Sequence, residues 1–221
     1  MSPVQPETNA SAGAKVSVTP QQVKQLRELT GAGWMDCKAA LEANGGNLEQ
    51  AVDWLRKKGM ASAQRKAGRA TSEGCVASYI HAGSKIGVLL EVNCETDFVA
   101  RTEEFRQLAH DLAMHVAAAE PRFIRREDVP ADTVQRETDI YRAQVTGKPQ
   151  NVMDKIVQGK LDKFYEENCL YEQHFIKDDK HTVKELVDAV IAKVGENIAV
   201  RRFVRFKLGE PVLHAEAQAP E

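Results

Sequence analysis

From Ile86 to Cys94 the chain alternates. Ile86, Val88, Leu90, Val92 and Cys94 fall on one side, and Gly87, Leu89, Glu91, Asn93 and Glu95 on the other. A period of two predicts a half-buried strand. Just upstream, Val76, Ser78, Ile80 and Ala82 alternate with Cys75, Ala77, Tyr79 and His81, and Gly83-Ser84 has the composition of a two-residue hairpin turn. Beyond Cys94 the spacing changes. Phe105, Leu108, Ala109, Leu112, Ala113 and Val116 recur at three and four, which is one face of a helix. Thr102 is suited to cap that helix, and Glu103 and Glu104 match the positive end of its dipole. Thr96, Asp97, Phe98 and Val99 therefore fall at a strand-to-helix corner, where rigid flanks can hold a side chain outward. The plainest reading of the corner is that Thr96 or Asp97 caps a helix and Phe98 fills the core.

Helical spacing also opens the chain. Thr19-Pro20-Gln21-Gln22 combines a capping residue, Pro at the first helical position and Gln three after the cap, and Val23, Leu26 and Leu29 follow. Thr30-Gly31-Ala32-Gly33 interrupts; Met35, Cys37, Lys38 and Leu41 belong to a second helix, stopped by Asn44-Gly45-Gly46. Asn47 caps a third, with Leu48, Ala51, Val52 and Leu55 on its apolar side. Later, Val134, Thr138, Tyr141 and Val145 form a narrow stripe, and Val152, Ile156, Leu161 and Phe164 form a second after Thr146-Gly147-Lys148-Pro149. The two predict a helical hairpin, with Gly159 marking close helix contact. Residues 175–179 read as a loop. Thr182 with Glu185 starts a helix whose buried side is Val183, Leu186, Val187, Val190 and Val194. A last strand carries Ile198, Val200, Val204, Phe206 and Leu208 on one side, interrupted by Arg202, and Ala199, Arg201, Phe203, Arg205 and Lys207 on the other.

The expected class is α+β: a three-stranded antiparallel sheet with helices on one face and a helical hairpin, preceded by a three-helix module. The expected organisation is a mobile head at 1–18, the helical module at 19–60, a basic linker at 61–73, the core at 74–210 with the hairpin at 131–170, and a short tail at 211–221.

Composition narrows the function. The chain has 30 basic and 32 acidic residues, a net charge of −2, which argues against a general nucleic-acid binder and suits a protein partner. Arg56, Lys57, Lys58, Arg65, Lys66 and Arg69 form a basic run, but no aromatic lies between Leu55 and Tyr79 to stack bases. No apolar stretch is long enough to span a membrane, and the first residues lack the pattern of an export leader, so a cytoplasmic protein is expected. Cys37, Cys75, Cys94 and Cys169 include no CxxC pair and read as buried reduced thiols. His110 and His115, five apart, do not share a helix face as a metal pair would. Neither G-x-x-x-x-G-K-[ST] nor G-x-G-x-x-G occurs, and no catalytic ordering of Ser, His and Asp is readable. An enzyme is not expected, nor a cofactor of its own.

The string NCETDFVARTEEF closely resembles the bacterial translation elongation factor Ts family, of which TDFV is a signature, and LRELTGAGWMDCKAALEANGGNLEQAVDWLRKKG resembles that family's opening module. The module is also similar to the ubiquitin-associated fold. The likeness spans about residues 20 to 209. It implies a guanine-nucleotide exchange factor that acts on elongation factor Tu, bound to GDP or free of nucleotide. It implies that Phe98 inserts near the Mg²⁺ site of Tu with Asp97 perturbing the charge there, while Thr96 shapes the corner and Val99 anchors it. It implies further that Leu29, Thr30, Gly31, Ala32, Gly33 and Met35 belong to the region that grips the nucleotide domain of Tu. Trp34 departs from the family's smaller apolar residue; a partner contact and a loose core position both remain open for it. The chain is short for the family, and short members are expected to dimerise, so a homodimer is a further expectation. Two other readings stand beside this one: a ubiquitin-associated-type adaptor without exchange activity, and an RNA-binding accessory using the Arg56–Arg69 run.

Overall fold

The structure, a computed structural model, describes residues 18–147 and 149–211. The expected mobile head and loose tail lie outside the described residues, apart from Val18 and Pro211. The chain divides into two compact units, residues 1–58 and 59–221.

The first unit is helical. Helix α1 (Pro20–Thr30) starts on a complete capping box, in which Thr19 and Gln22 satisfy each other's backbone, and ends on Gly31 at φ 66°. Helix α2 (Trp34–Ala43) follows, and Asn47 accepts the Gln50 N–H at the start of α3 (Leu48–Lys66). Val23, Leu26, Cys37, Ala40, Leu41 and Ala51 make a closed core. Helix α3 runs on to Lys66, so residues 61–66 of the expected basic linker are helix. The reason is its packing: Ala63 is buried in the core of the second unit, and Gly59 lies so close to Ala192 that an added Cβ would touch it at 3.4 Å. Arg56, Lys57, Lys58 and Arg65 occupy exposed sides of α3, Lys66 at its end is partly buried and donates to the Ile191 carbonyl, and Arg69 lies beyond the helix.

The second unit is built on an antiparallel sheet in the order β1 (Glu73–Ile80), β2 (Ile86–Cys94), β5 (Ile198–Lys207). The loop between β1 and β2 is longer than a two-residue turn. The His81 N–H bonds the Ile86 carbonyl at 2.9 Å, leaving residues 82–85 outside the ladder, with Gly83 and Ser84 both at positive φ. After β2 comes one turn of helix, α4 (Asp97–Ala100), then α5 (Glu103–Ala119), whose Phe105, Leu108, Leu112 and Val116 pack on the sheet. Helix α8 (Val183–Val194) adds Val183, Val187 and Ile191 to that core. Burying this apolar face stabilises the unit by roughly 25 cal/mol per Å² removed from water. On the opposite face of the sheet Val76, Ile80, Leu89, Val204 and Phe206 are exposed among the described residues.

Strand β5 differs from its expected pattern. Its pairing with β2 shifts between Glu91 and Val92: Val92 faces Val200, but Glu91 faces Arg202, so Arg201 is an extra residue. Such a bulge reverses the parity downstream. Ile198 and Val200 are buried, and beyond the bulge it is Phe203 that packs on the core, while Val204 and Phe206 turn outward. Arg205 consequently points to the helical side. Its head donates to the Ala117 carbonyl at the end of α5 and pairs with Glu120 and Glu210.

Helices α6 (Ala131–Gln144) and α7 (Gln150–Asn168) form the hairpin. Val157, Leu161 and Phe164 are its buried residues on α7, whereas Val152 near the turn is exposed. Gly159 does not mark close contact: a Cβ there would meet nothing within 4 Å. The expected loop at 175–179 is instead a short hairpin of β3 (His174–Phe175) and β4 (Asp178–Thr182), anchored where Phe175 packs beside the His115 ring.

Candidate functional site

The corner after β2 is tied down from several directions. The Thr96 hydroxyl accepts the Val99 N–H at 3.4 Å, which starts α4, and donates to Glu196 Oε1 at 2.7 Å. The Thr96 N–H bonds the other oxygen of Glu196 at 3.0 Å. The Cys94 thiol donates to the Thr96 carbonyl at 3.1 Å. Next to it, Glu95 accepts the Asn197 N–H at 2.6 Å, and the Asn197 side chain in turn bonds the carbonyls of Ala67 and Arg69. Val99 is buried in the main core. Thr102 closes the turn, donating its hydroxyl proton to the Val99 carbonyl and accepting the Phe105 N–H that opens α5.

On this frame Phe98 stands 82% exposed. The reading in which it fills the core is thereby excluded. Asp97 is also exposed and pairs with Arg101 one turn on, at 2.8 Å. An exposed pair of this kind is worth well under about 1 kcal/mol, so a partner can break it at little cost. Burial raises the Cys94 thiol to about 11, which keeps it protonated and unreactive beneath the corner.

Spacing located the corner but not its support. Glu196 and Asn197 lie about a hundred positions downstream, and nothing in their local sequence distinguishes them from an ordinary turn between helix and strand. The one available signal is Gly195, which ends α8 at φ 83° and so turns the chain toward β5.

In the helical module, Leu29 and Met35 are 66% and 70% exposed, on either side of the Thr30–Gly33 connection. Trp34 is 42% exposed, and so partly available rather than a core residue. The connection itself is ordered: the Thr30 hydroxyl donates to the Leu26 carbonyl and accepts the Ala32 N–H, and the buried Cys37 thiol donates to the Ala32 carbonyl. Three apolar side chains thus stand in water on a short, well-fixed turn. This is the kind of feature that marks an interaction site.

The elongation factor Ts family model matches residues 59–210. The chain belongs to the elongation factor Ts family. It is 58% identical over 197 residues to elongation factor Ts of Geobacter sulfurreducens, covering 88% of this chain and 91% of that one. It is 57% identical over 195 residues to the factor of Thermotoga neapolitana, covering 88% and 99%. With the factor of Moorella thermoacetica the identity is 57% over 196 residues, covering 88% and 97%. The match extends over nearly the whole length of each of these relatives.

Proposed function

We propose that this protein is a guanine-nucleotide exchange factor for elongation factor Tu, and that the Asp97–Phe98 corner drives release of GDP. The observation that carries this reading is a large aromatic ring left in water on a corner whose backbone is fixed on both sides. A GTPase holds GDP through backbone groups around the phosphates and through Mg²⁺. A factor that binds best when this arrangement is disturbed will loosen nucleotide, and by linkage nucleotide loosens the factor equally. Phe98 acts as the wedge beside the metal site, and Asp97 perturbs the charge and hydrogen bonding of the groups that hold the metal. Thr96 and Val99 keep the corner from yielding.

Magnitudes require a second contact. Accelerating release by ~10³ to 10⁵ takes on the order of 4 to 7 kcal/mol, and burying one Phe contributes roughly 1.5 to 3 kcal/mol. Remote binding energy must hold the wedge in place. Leu29, Trp34 and Met35, with the Thr30–Gly33 turn between them, supply it by gripping the nucleotide domain of Tu. The protein acts as a homodimer, each copy covering the other's open sheet face.

Stopped-flow release of fluorescent GDP from Tu tests the wedge. Phe98→Ala should slow release by roughly 10- to 150-fold while Tu binding stays measurable. An unchanged release rate ends the wedge mechanism.

A further inference from the structure

A cavity of about 460 Å³ lies at the free edge of β5. Four arginines line it. Arg122 and Arg125 come from the segment after α5, and Arg201 and Arg202 from the β5 bulge. The backbone on both sides is fixed. The N–H groups of Arg122 and Phe123 bond the Asn168 carbonyl, and the Phe123 and Ile124 carbonyls accept from Leu170 and Tyr171. On β5 the extra residue leaves both Arg201 and Arg202 exposed, whereas regular alternation would turn one of them into the core.

Neutralisation is incomplete. Arg202 is paired with Glu91 at 2.7 Å. Arg125 lies over the Tyr171 ring and Arg122 over the Phe123 ring. Among the described residues, Arg122, Arg125 and Arg201 have no carboxylate within salt-bridge distance. The acid in the lining, Asp128, accepts the Arg125 backbone N–H at 2.9 Å and is used in starting a 3-10 turn. In a protein of net charge −2, three guanidinium groups without a salt-bridge partner among the described residues gather around one cavity.

We propose that this cavity binds backbone phosphates of a single-stranded RNA. Guanidinium forks match phosphate oxygens in pairs. The Phe123 and Phe203 rings, both partly exposed in the lining, offer the stacking surface that the Arg56–Arg69 run lacks. The site is open along a sheet edge and has no glycine-rich loop to enclose a free nucleotide, which favours a strand passing through over a captured mononucleotide. It involves none of the residues assigned to nucleotide exchange.

The test is fluorescence anisotropy of a labelled short oligouridylate with the full-length protein, at about 50 and about 200 mM salt. Arg122→Ala with Arg201→Ala is compared with Lys24→Ala plus Lys163→Ala, which removes the same charge from exposed helical pairs elsewhere. Thermal melts check that both variants fold. The proposal expects salt-dependent binding that survives in the lysine variant, weakens at least tenfold in the arginine variant and shows a shallower salt slope there. Equal loss in the two variants, or no binding at the lower salt, overturns it. So does binding of pyrophosphate or of an acidic peptide in place of RNA.

Discussion

At the scale of single residues, the chemistry of this protein depends on which side chains are left in water and which are withdrawn from it. Phe98 and His115 are the two extremes. Phe98 is exposed because its neighbours consume every anchoring option: Val99 takes the core position and Thr96 the cap. His115 is fully buried on α5. The Gln173 amide nitrogen is spent on the Ala119 and Glu167 carbonyls, so the Gln173 oxygen must accept from His115 Nε2, while His115 Nδ1 accepts the Ile176 N–H. This arrangement suits neutral imidazole only. Burial lowers the His115 pKa below its ordinary value of 6.5, against the opposing Gln173 hydrogen bond. Below about pH 6.5 the unfolded chain takes up a proton that the folded one refuses. The stabilising contribution is complete above that pH and is lost as the pH falls through the window beneath it. Urea unfolding at pH 7.5 and 5.5 should show a larger acid loss for the native chain than for His115→Leu. Parallel losses would mean that His115 is not the group responsible.

At the scale of elements, the β5 bulge decides the most. One extra residue puts Val200 and Phe203 on the same core and sends Arg202, Val204 and Phe206 to the other face. Deleting Arg201 removes the extra residue but keeps Val200 and Phe203 inward and Arg202 outward, so it takes away only the local bend. We expect this deletion to cost no more than about 1 kcal/mol, read from the chemical unfolding midpoint. A loss of several kcal/mol would show that the bend itself, and not only the facing of the strand, holds the unit together. Gly74 reports the same tightness at the start of β1, with φ 147° and no room for a side chain: an added Cβ would come within 2.2 Å of the Val92 carbonyl oxygen.

At the scale of the whole molecule, two apolar surfaces stand exposed among the described residues. The outward sheet face carries Val76, Ile80, Leu89, Val204 and Phe206. Two such faces related by a two-fold axis are self-complementary and can stack as a sandwich about 10 Å apart. Light scattering should report a dimer for the native chain and a monomer for Leu89→Glu with Phe206→Glu; a native monomer at micromolar concentration would reject the dimer. The other surface, around Leu29 and Met35, belongs to the proposed grip on Tu. Leu29→Ala with Met35→Ala should weaken Tu affinity by roughly 1 to 3 kcal/mol, read by titration calorimetry, with α1 and α2 still folded because neither residue is in their core. Unchanged affinity would move the grip elsewhere.

Periodicity in the sequence determined most of the local order. Alternation from Ile86 to Cys94, helical spacing from Phe105 to Val116, and the capping signals at Thr19, Asn47, Thr102 and Thr182 all correspond to elements in the structure, because each depends on neighbours within a few residues. The wording of the TDFV string identified the family for the same reason. Contacts distant in sequence were decided only by the tertiary structure. Glu196 reaches Thr96, Asn197 reaches Glu95, Ala63 extends α3 into a core built mostly from later residues, and the pairing of β5 with β2 makes Arg201 a bulge. Local spacing carries no record of which distant group satisfies a given hydrogen bond or fills a given gap, and it was those groups that tied down the corner carrying Phe98 and gathered the arginines around one cavity.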